Sequence, residues 1–254
     1  MAPLRPRAGT GSLRGPLVHL QRTGSTNDAA REAAQHGAVG GTVFAAEEQD
    51  AGRGRQGRTW VSAPGRSLTL SVVARIDSEA FPLLPLVTAV AVCEACETVA
   101  KVTCRIKWPN DVWICGRKVA GILIEARPQE GWAVVGIGLN VSSTAGDLGE
   151  ELRETATSLR IASGEDVGRD VALSALFDRL AERLEDLGSG RAAELLDRYR
   201  ERDVLTGSDI KWATGGEQRE GRVQGIDERG NLVVLTGDER VTLESGEVHL
   251  IPGV

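Results

Sequence analysis

Residues 15–22 (GPLVHLQR) alternate apolar and polar positions, the period of a strand with one buried face. In STNDAAREAAQHG (25–37) the spacing widens to a helical stripe of alanines, which Ser25 or Thr26 can cap and Gly37 can close. Strand spacing returns in GTVFAAE (41–47) and in RSLTLSVVAR (66–75). FPLLPLVTAVAVCEACETVAK (81–101) reads as a long apolar helix whose prolines are confined to its start, where they are tolerated. Four short strand patterns follow: CRIKW (104–108), DVWI (111–114), KVAGILIEAR (118–127) and WAVVGIGLNV (132–141). Turns such as CGR and PQEG separate them, so antiparallel hairpins are expected. Residues 143–154 read as a loop with weak helical content, and helical spacing resumes at 169–187 and 191–201. From Asp203 onward the helical period disappears, and short alternating strands with Gly and Asp turns suggest a small SH3-like barrel. A unit of that size has little core of its own and is expected to dock on the rest. The division is thus a flexible N-terminal arm over 1–15, a main domain over 16–202 and a barrel over 203–254.

Composition narrows the classes. Of 254 residues, 41% are hydrophobic and 26% charged, an ordinary globular balance that excludes chain-wide disorder. A net charge of −6 argues against a general nucleic-acid binder. Arg5, Arg7 and Arg14 form a local exception, best read as part of a frayed arm. No apolar run is read as long enough to span a membrane, and the N-terminus lacks the apolar centre of a signal peptide. Cys93 and Cys96 form C-x-x-C, but inside a helical pattern with no histidine nearby; they read as small buried residues, in a reducing cytoplasm.

The chemistry begins with DAGRGRQGRTW (50–60). Gly52, Gly54 and Gly57 have the G-x-G-x-x-G spacing of a dinucleotide-binding turn. That turn needs a helix opening within it and an acidic residue some 20 positions on. Here RTWVSAPGRS reads as loop then strand, and SVVAR ends in Arg75, so the dinucleotide reading fails. What remains is a pliable backbone carrying Arg53, Arg55 and Arg58. It is either a flap that folds over an anionic ligand or a solvated turn pairing with Glu47, Glu48 and Asp50. A second unusual stretch is KWPNDVWICGRKVAGILIE (107–125). Lys118 opens an apolar strand and Gly121 leaves a gap in it. A third is VVGIGLNV (134–141), where Gly136 and Gly138 leave room and Asn140 offers an amide. A P-loop and G-x-S-x-G are absent, and His19, His36 and His249 are scattered, which removes the common phosphate-loop, hydrolase and His-metal templates.

Taken together, STN (25–27), EEQDAGRGRQGRTW (47–60), KWPNDVW with GRKVAGILIE (107–125) and GIGLNV (136–141) resemble the biotin–protein ligase family, in its order and over roughly residues 16–250. The stretch 1–15 is too short for the N-terminal helix-turn-helix of the repressor-type members, so the likeness is to the short class, with no DNA partner expected. The resemblance implies an α/β (α+β) fold: a mixed sheet flanked by helices, like class II aminoacyl-tRNA synthetases, followed by the SH3-like barrel. It implies activation of biotin with MgATP to biotinyl-5′-adenylate, then transfer to a lysine of a biotin carboxyl carrier domain of acyl-CoA carboxylases.

By the same resemblance, Lys118, Arg55, Arg58 and Asp111 serve catalysis, with Lys118 bridging the biotin carboxylate and the α-phosphate. Ser25, Thr26, Asn27, Gln49, Gly52 and Arg53 line the biotin head pocket, Gly121 and Ile122 form its wall, and Trp60 covers the ligand. Arg55, Arg58, Trp60, Lys107, Asn110, Lys118 and Asn140 face ATP or the adenylate. Asp111 has three open roles: holding Lys118, joining a metal–phosphate network, or stabilising the PND turn. Lys107 is either a phosphate contact or a surface residue, and Ser25 and Thr26 are caps, ligand contacts or both. Mg²⁺ is expected to arrive with ATP, not in a fixed cage. The rival readings are a lipoate or octanoate ligase and a non-catalytic biotin-binding protein. Edge strands near 132–141 offer one route for pairing between protomers; the sequence does not set the oligomeric state.

Overall fold

The structure, a computed structural model, describes residue 13, residues 15–214 and residues 217–251. The arm expected over 1–15 lies outside these, except for Leu13, which is buried in the core, and Gly15. Seven strands form the main sheet in the order β1-β2-β3-β7-β6-β5-β4. They are β1 (Leu17–Thr23), β2 (Val43–Gln49), β3 (Ser67–Ala74), β4 (Arg105–Lys107), β5 (Asp111–Ile114), β6 (Arg117–Arg127) and β7 (Trp132–Asn140). β1 and β2 run parallel around the helix α1 (Thr26–Gln35); every other pairing is antiparallel, as the short turns predict. Strand β7 lies at the sheet centre between β3 and β6, not at an edge, so pairing of protomers through 132–141 is overturned. Its continuous apolar run is the pattern of a strand covered on both faces.

The two faces are divided by the strand period. Leu68, Leu70, Val72, Ile122, Val135, Ile137 and Leu139 point into the principal core. Helix α2 (Leu84–Ala100) packs there, backed by α4 (Arg169–Gly188) and α5 (Ala192–Arg200). The prolines sit in the 3-10 turn Ser78–Leu83 and at the first positions of α2. With its preceding turn, Glu79–Ala100 is long and apolar enough to cross a membrane, contrary to the sequence reading, but most of it is buried inside the fold. Cys93 and Cys96 are fully buried there as free thiols. On the opposite face, Val73, Trp132 and Val134 pack under Ala30 and Ala34 of α1.

Residues 143–154 carry no helix; a short one, α3 (Leu159–Ser163), follows and is capped by the Ser158 hydroxyl. Its five residues are too few to show a period in the sequence. The chain then returns along β4, where Ile106 exchanges backbone hydrogen bonds with Arg202 and Val204. Beyond it lies a five-stranded antiparallel sheet, β8 (Asp209–Thr214), β9 (Glu217–Ile226), β10 (Leu232–Thr236), β11 (Glu239–Leu243) and β12 (Val248–Leu250), in the order β11-β10-β9-β8-β12. Ile210, Val223, Leu232 and Val234 join the same core cluster as α2, and Trp108 Nε1 donates to the Gly230 carbonyl at 3.0 Å, so the small sheet is docked as its size requires.

A buried ion set secures β1 and β2 to α4. Glu47 accepts from His19 Nε2 at 2.9 Å and from Arg169 Nη1 at 2.8 Å, with a side chain 8% exposed. Burial works to raise the Glu47 carboxyl, but the hydrogen bonds from Arg169 and His19 outweigh it and hold it below the ordinary carboxylate value. A carboxyl held low in the folded state contributes stability that is present above its unfolded pKa and is lost as pH falls through the folded one. Glu47→Gln is therefore expected to cost about 3 kcal/mol at pH 7, read by denaturant unfolding, and the gap from the parent protein should close as pH drops below about 4.

Candidate active site

The site lies on the α1 side of the main sheet, where side chains are missing. Down β7 this face carries Trp132, Val134, Gly136 and Gly138, and Gly138 pairs with Gly121 of β6. The resulting bare patch is filled from outside. A Cβ on Gly136 would collide with the Asn27 amide, and one on Gly138 would fall within the Trp60 indole. At Gly121 it would come 3.1 Å from Lys118 Nζ and 3.1 Å from the Trp60 ring.

A bulge aims Lys118. Val112 pairs with Ala120 but Trp113 pairs with Lys118, so Val119 is an extra residue in β6. Residues 118 and 121 would otherwise face opposite sides. With the bulge, Val119 and Ala120 both enter the core while Lys118 turns over Gly121. Asp111 stands opposite Gly121 on β5, and its Oδ1 lies 2.7 Å from Lys118 Nζ. Lys118 Nζ is also 5.7 Å from the Trp60 ring centre, within cation–π range. The Lys118 backbone is clamped by Thr155 and Thr157 of the loop before α3.

The glycine-rich loop closes on itself. Trp60 N donates to the Gly52 carbonyl, Gly54 N to Arg58, and Arg53 pairs with Thr59. Gly52 must lack a side chain because the Trp60 carbonyl occupies that space, and Gly57 has φ 74°. The three arginines do not pair with Glu47, Glu48 and Asp50, as a solvated turn would have them. Arg53 Nη2 reaches Asp28 Oδ1 at 2.8 Å and Glu125 Oε2 at 3.1 Å. Arg55 Nη1 donates to Asn110 Oδ1 at 3.3 Å, and Arg58 forms an ion pair with Glu247 from the loop before β12. Glu48 and Asp50 pair with Arg22 instead.

One cleft collects most of the residues expected from the sequence. Ser25, Thr26, Asn27, Gln49, Arg53 and Trp60 line it, as do Arg55, Arg58, Lys107, Asn110, Asp111, Lys118, Gly121 and Ile122. Two residues fall elsewhere. Gly52 lines a neighbouring hollow beside Glu125. Asn140 does not line the cleft: its amide accepts from Ser67 Oγ at 3.3 Å and donates to the Thr157 carbonyl at 3.0 Å, fixing the loop that clamps Lys118. The Ile122 side chain belongs to the core, and its backbone bonds Asn110 at both N–H and C=O. Ser25 occupies the cap position of α1 without a capping side-chain bond.

The cleft has two chemical ends. Arg53, Arg55, Arg58, Lys107 and Lys118 line it against only two carboxylates, Asp111 and Glu247. Burial lowers the Lys107 ammonium from its ordinary value, partly offset by Asp111 and Glu247, and burial likewise lowers Arg55. Both would regain stabilisation from a bound anion. The other end is neutral and polar. Gln49 Oε1 accepts from Thr26 N at 2.8 Å, and Ser71 Oγ lies 2.8 Å from Thr26 Oγ1 and 2.6 Å from Asn27 Oδ1. Sequence reasoning missed Ser71, Glu125, Asp28 and Glu247. Each lies in an ordinary strand, helix or turn pattern with no local peculiarity to mark it.

Comparison with known proteins decides the family. The biotin/lipoate A/B protein ligase family profile matches residues 19–142, and the biotin protein ligase C-terminal domain profile matches residues 206–250. The biotin--[acetyl-CoA-carboxylase] ligase of Mycobacterium tuberculosis is 33% identical, with 97% of each chain covered. The chain belongs to the biotin protein ligase family. The enzyme of the same name from Paracoccus denitrificans is 34% identical over 90% of this chain and 98% of its own. The biotin protein ligase from Aquifex aeolicus, solved in complex with biotin and ATP, superposes with a TM-score of 0.80 at 29% identity, covering 92% of this chain and 98% of that one. The mixed sheet with flanking helices and the C-terminal antiparallel sheet are thus those of biotin protein ligases.

The seating of Trp60 on the glycine patch gives a direct test. Gly138→Ala places a methyl where the indole lies, so the loop should lift. Tryptic cleavage after Arg55 and Arg58 is expected to speed up about tenfold in this variant, scored by mass spectrometry of early fragments, as local opening becomes easier.

Proposed function

We propose that this chain is a biotin–carboxyl-carrier ligase: it joins biotin to ATP as biotinyl-5′-adenylate and passes the biotinyl group to a lysine of a carrier domain of an acyl-CoA carboxylase. The observation that carries this reading is the polarity of one cleft, cationic around Lys118 and neutral with hydrogen-bonding groups around Thr26 and Gln49. Biotin has the same division: a carboxylate at one end and an uncharged ureido ring at the other.

In the first step a biotin carboxylate oxygen attacks the α-phosphorus, and the bond to pyrophosphate breaks. Two anions must approach, so their repulsion is the main obstacle. Lys118, held by Asp111, bridges both oxyanions in this reading. Arg55, Arg58 and Lys107 offset phosphate charge, with Asn110 beside Arg55. In the second step the neutral amine of the carrier lysine attacks the acyl carbon, the C–O bond to AMP breaks, and the amine proton is lost to solvent or phosphate. Ser25, Thr26, Asn27, Gln49, Gly52 and Arg53 hold the biotin head; Gly121 gives room and Trp60 covers the ligand. Asn140 serves the adenylate end by holding the Thr157 loop. Closure of the 52–60 flap shields the mixed anhydride from water.

Mg²⁺ takes oxygen ligands, and Asp111 and Glu247 are the carboxylates lining the cleft. In this reading the ion is delivered with ATP. When bound it would offset phosphate charge. We place the enzyme in the cytoplasm, with residues 16–202 as the catalytic unit and 203–254 as an SH3-like unit that contributes Glu247.

Incubation with ATP, Mg²⁺ and either biotin or lipoate tests the reading. Pyrophosphate release and labelling of a carboxylase carrier domain are expected with biotin alone; turnover with lipoate instead selects a lipoate ligase, and none with either selects a binding protein. Lys118→Ala should lower the first-step rate by about 10²–10³. Trypsin cleavage within 52–58 should slow when biotin and ATP are added together; equal cleavage in both states counts against the flap.

A further inference from the structure

The cations that line the cleft are fixed by polar partners, with one exception. Arg53 is held by Asp28 and Glu125, Arg55 by Asn110, Arg58 by Glu247 and Lys118 by Asp111. Lys107 lines the same cleft, and among the described residues its ammonium makes no hydrogen bond or ion pair. What its Nζ meets instead is the ring of Trp113, whose centre lies 5.3 Å away, within cation–π range. Asp111 stands opposite Lys107 across β4 and β5, but its carboxylate is turned to Lys118. Burial works against the Lys107 charge, Asp111 and Glu247 favour it from beyond ion-pair range, and the like charges of Lys118 and Arg58 oppose it. A compact, strongly hydrated ammonium on a flexible stem would leave such a place for water unless something held it.

The sheet sets where the ring stands. Ile106 of β4 and Val112 and Ile114 of β5 enter the core, so Lys107, Asp111 and Trp113 share the opposite face, on the side of the cleft. Beyond the bulge at Val119, Trp113 stands opposite Lys118. Trp113 does not itself line the cleft; it backs a residue that does. Its Nε1 is buried and has no acceptor among the described residues, so the position uses the ring and not a hydrogen bond.

We propose that Trp113 is a positioning residue for the nucleotide half of the reaction: its ring face holds the Lys107 ammonium in the cleft, where the phosphates of ATP meet it. This rests on the reading of Lys107 as a phosphate contact given above. Trp113→Leu removes the π face. Trp113→Phe keeps one, and gives up only the unpartnered N–H and part of the ring.

Steady-state kinetics of the full chain with biotin, ATP, Mg²⁺ and a carboxylase carrier domain test this. The KM for ATP should rise about tenfold in Trp113→Leu and less than about threefold in Trp113→Phe, with the KM for biotin unchanged in both. In a Lys107→Met background, Trp113→Leu should add less than about twofold to the KM for ATP, because the pair acts as one unit. Unfolding midpoints check that each variant is folded, and Trp113→Met, an adaptable apolar replacement, stands in if Trp113→Leu is not. The proposal is overturned if the aromatic and aliphatic variants raise the KM for ATP equally or not at all. It is also overturned if the KM for biotin rises as much, or if the effect of Trp113→Leu survives in the Lys107→Met chain. Lys107→Met with no effect on the KM for ATP would remove the phosphate role of Lys107 and the proposal with it. Absence of biotin turnover in the parent protein would sink the functional reading itself.

Discussion

A sheet face dressed with side chains has no room for a second layer of polar groups, and the whole site depends on relief from that constraint. Gly121, Gly136 and Gly138 remove three neighbouring side chains from one face of β6 and β7, while the other face of the same strands continues the core without interruption. Onto this patch come Asn27 from α1, Trp60 from the arginine loop and Lys118 from its own strand. Each arrives from a different element, so the patch is what brings them within reach of one another. The strand backbone beneath is held by pairing on both sides and moves little, a rigid base for groups that must be placed to fractions of an ångström.

The charges above it are arranged by partial compensation. Asp111 and Glu247 neutralise Lys118 and Arg58, Asp28 and Glu125 hold Arg53, and Arg55 and Lys107 are left in excess. A fully paired cluster would have no affinity left for phosphate, and an unpaired one would strain the empty protein. The chain as a whole carries a net −6, so the positive cleft is a local field in a repelling surround, which favours ligands small enough to enter and discourages long polyanions.

Much of this was legible in the residues because the site uses exceptions to strand and loop chemistry. A lysine in an apolar strand, glycines where a β-branched residue would serve better, and arginines threaded through glycines are each visible without coordinates. The strands and major helices followed from period alone, except where length failed, as at the five residues of α3. Position within the sheet was not legible: β7 looks the same at an edge or a centre until its partners are known. Nor were the partners of the exceptions. Glu125 alternates correctly as an outward residue of β6, and only the fold brings it to Asn27, 98 positions away. The partners of Asn140 were hidden for a related reason: an amide beside a site and an amide bracing a loop have the same local sequence.

The additional residue at Val119 sets a limit on how the gene for such a chain can vary in length. Straightening the strand with Val119 kept would leave Lys118 and Gly121 three positions apart and swing the amine into the oily layer beneath, whereas losing Val119 itself would leave them two apart, on one face by regular pleating. Changes of length along this hairpin should thus be sorted by pleat parity and not by distance from the ligand.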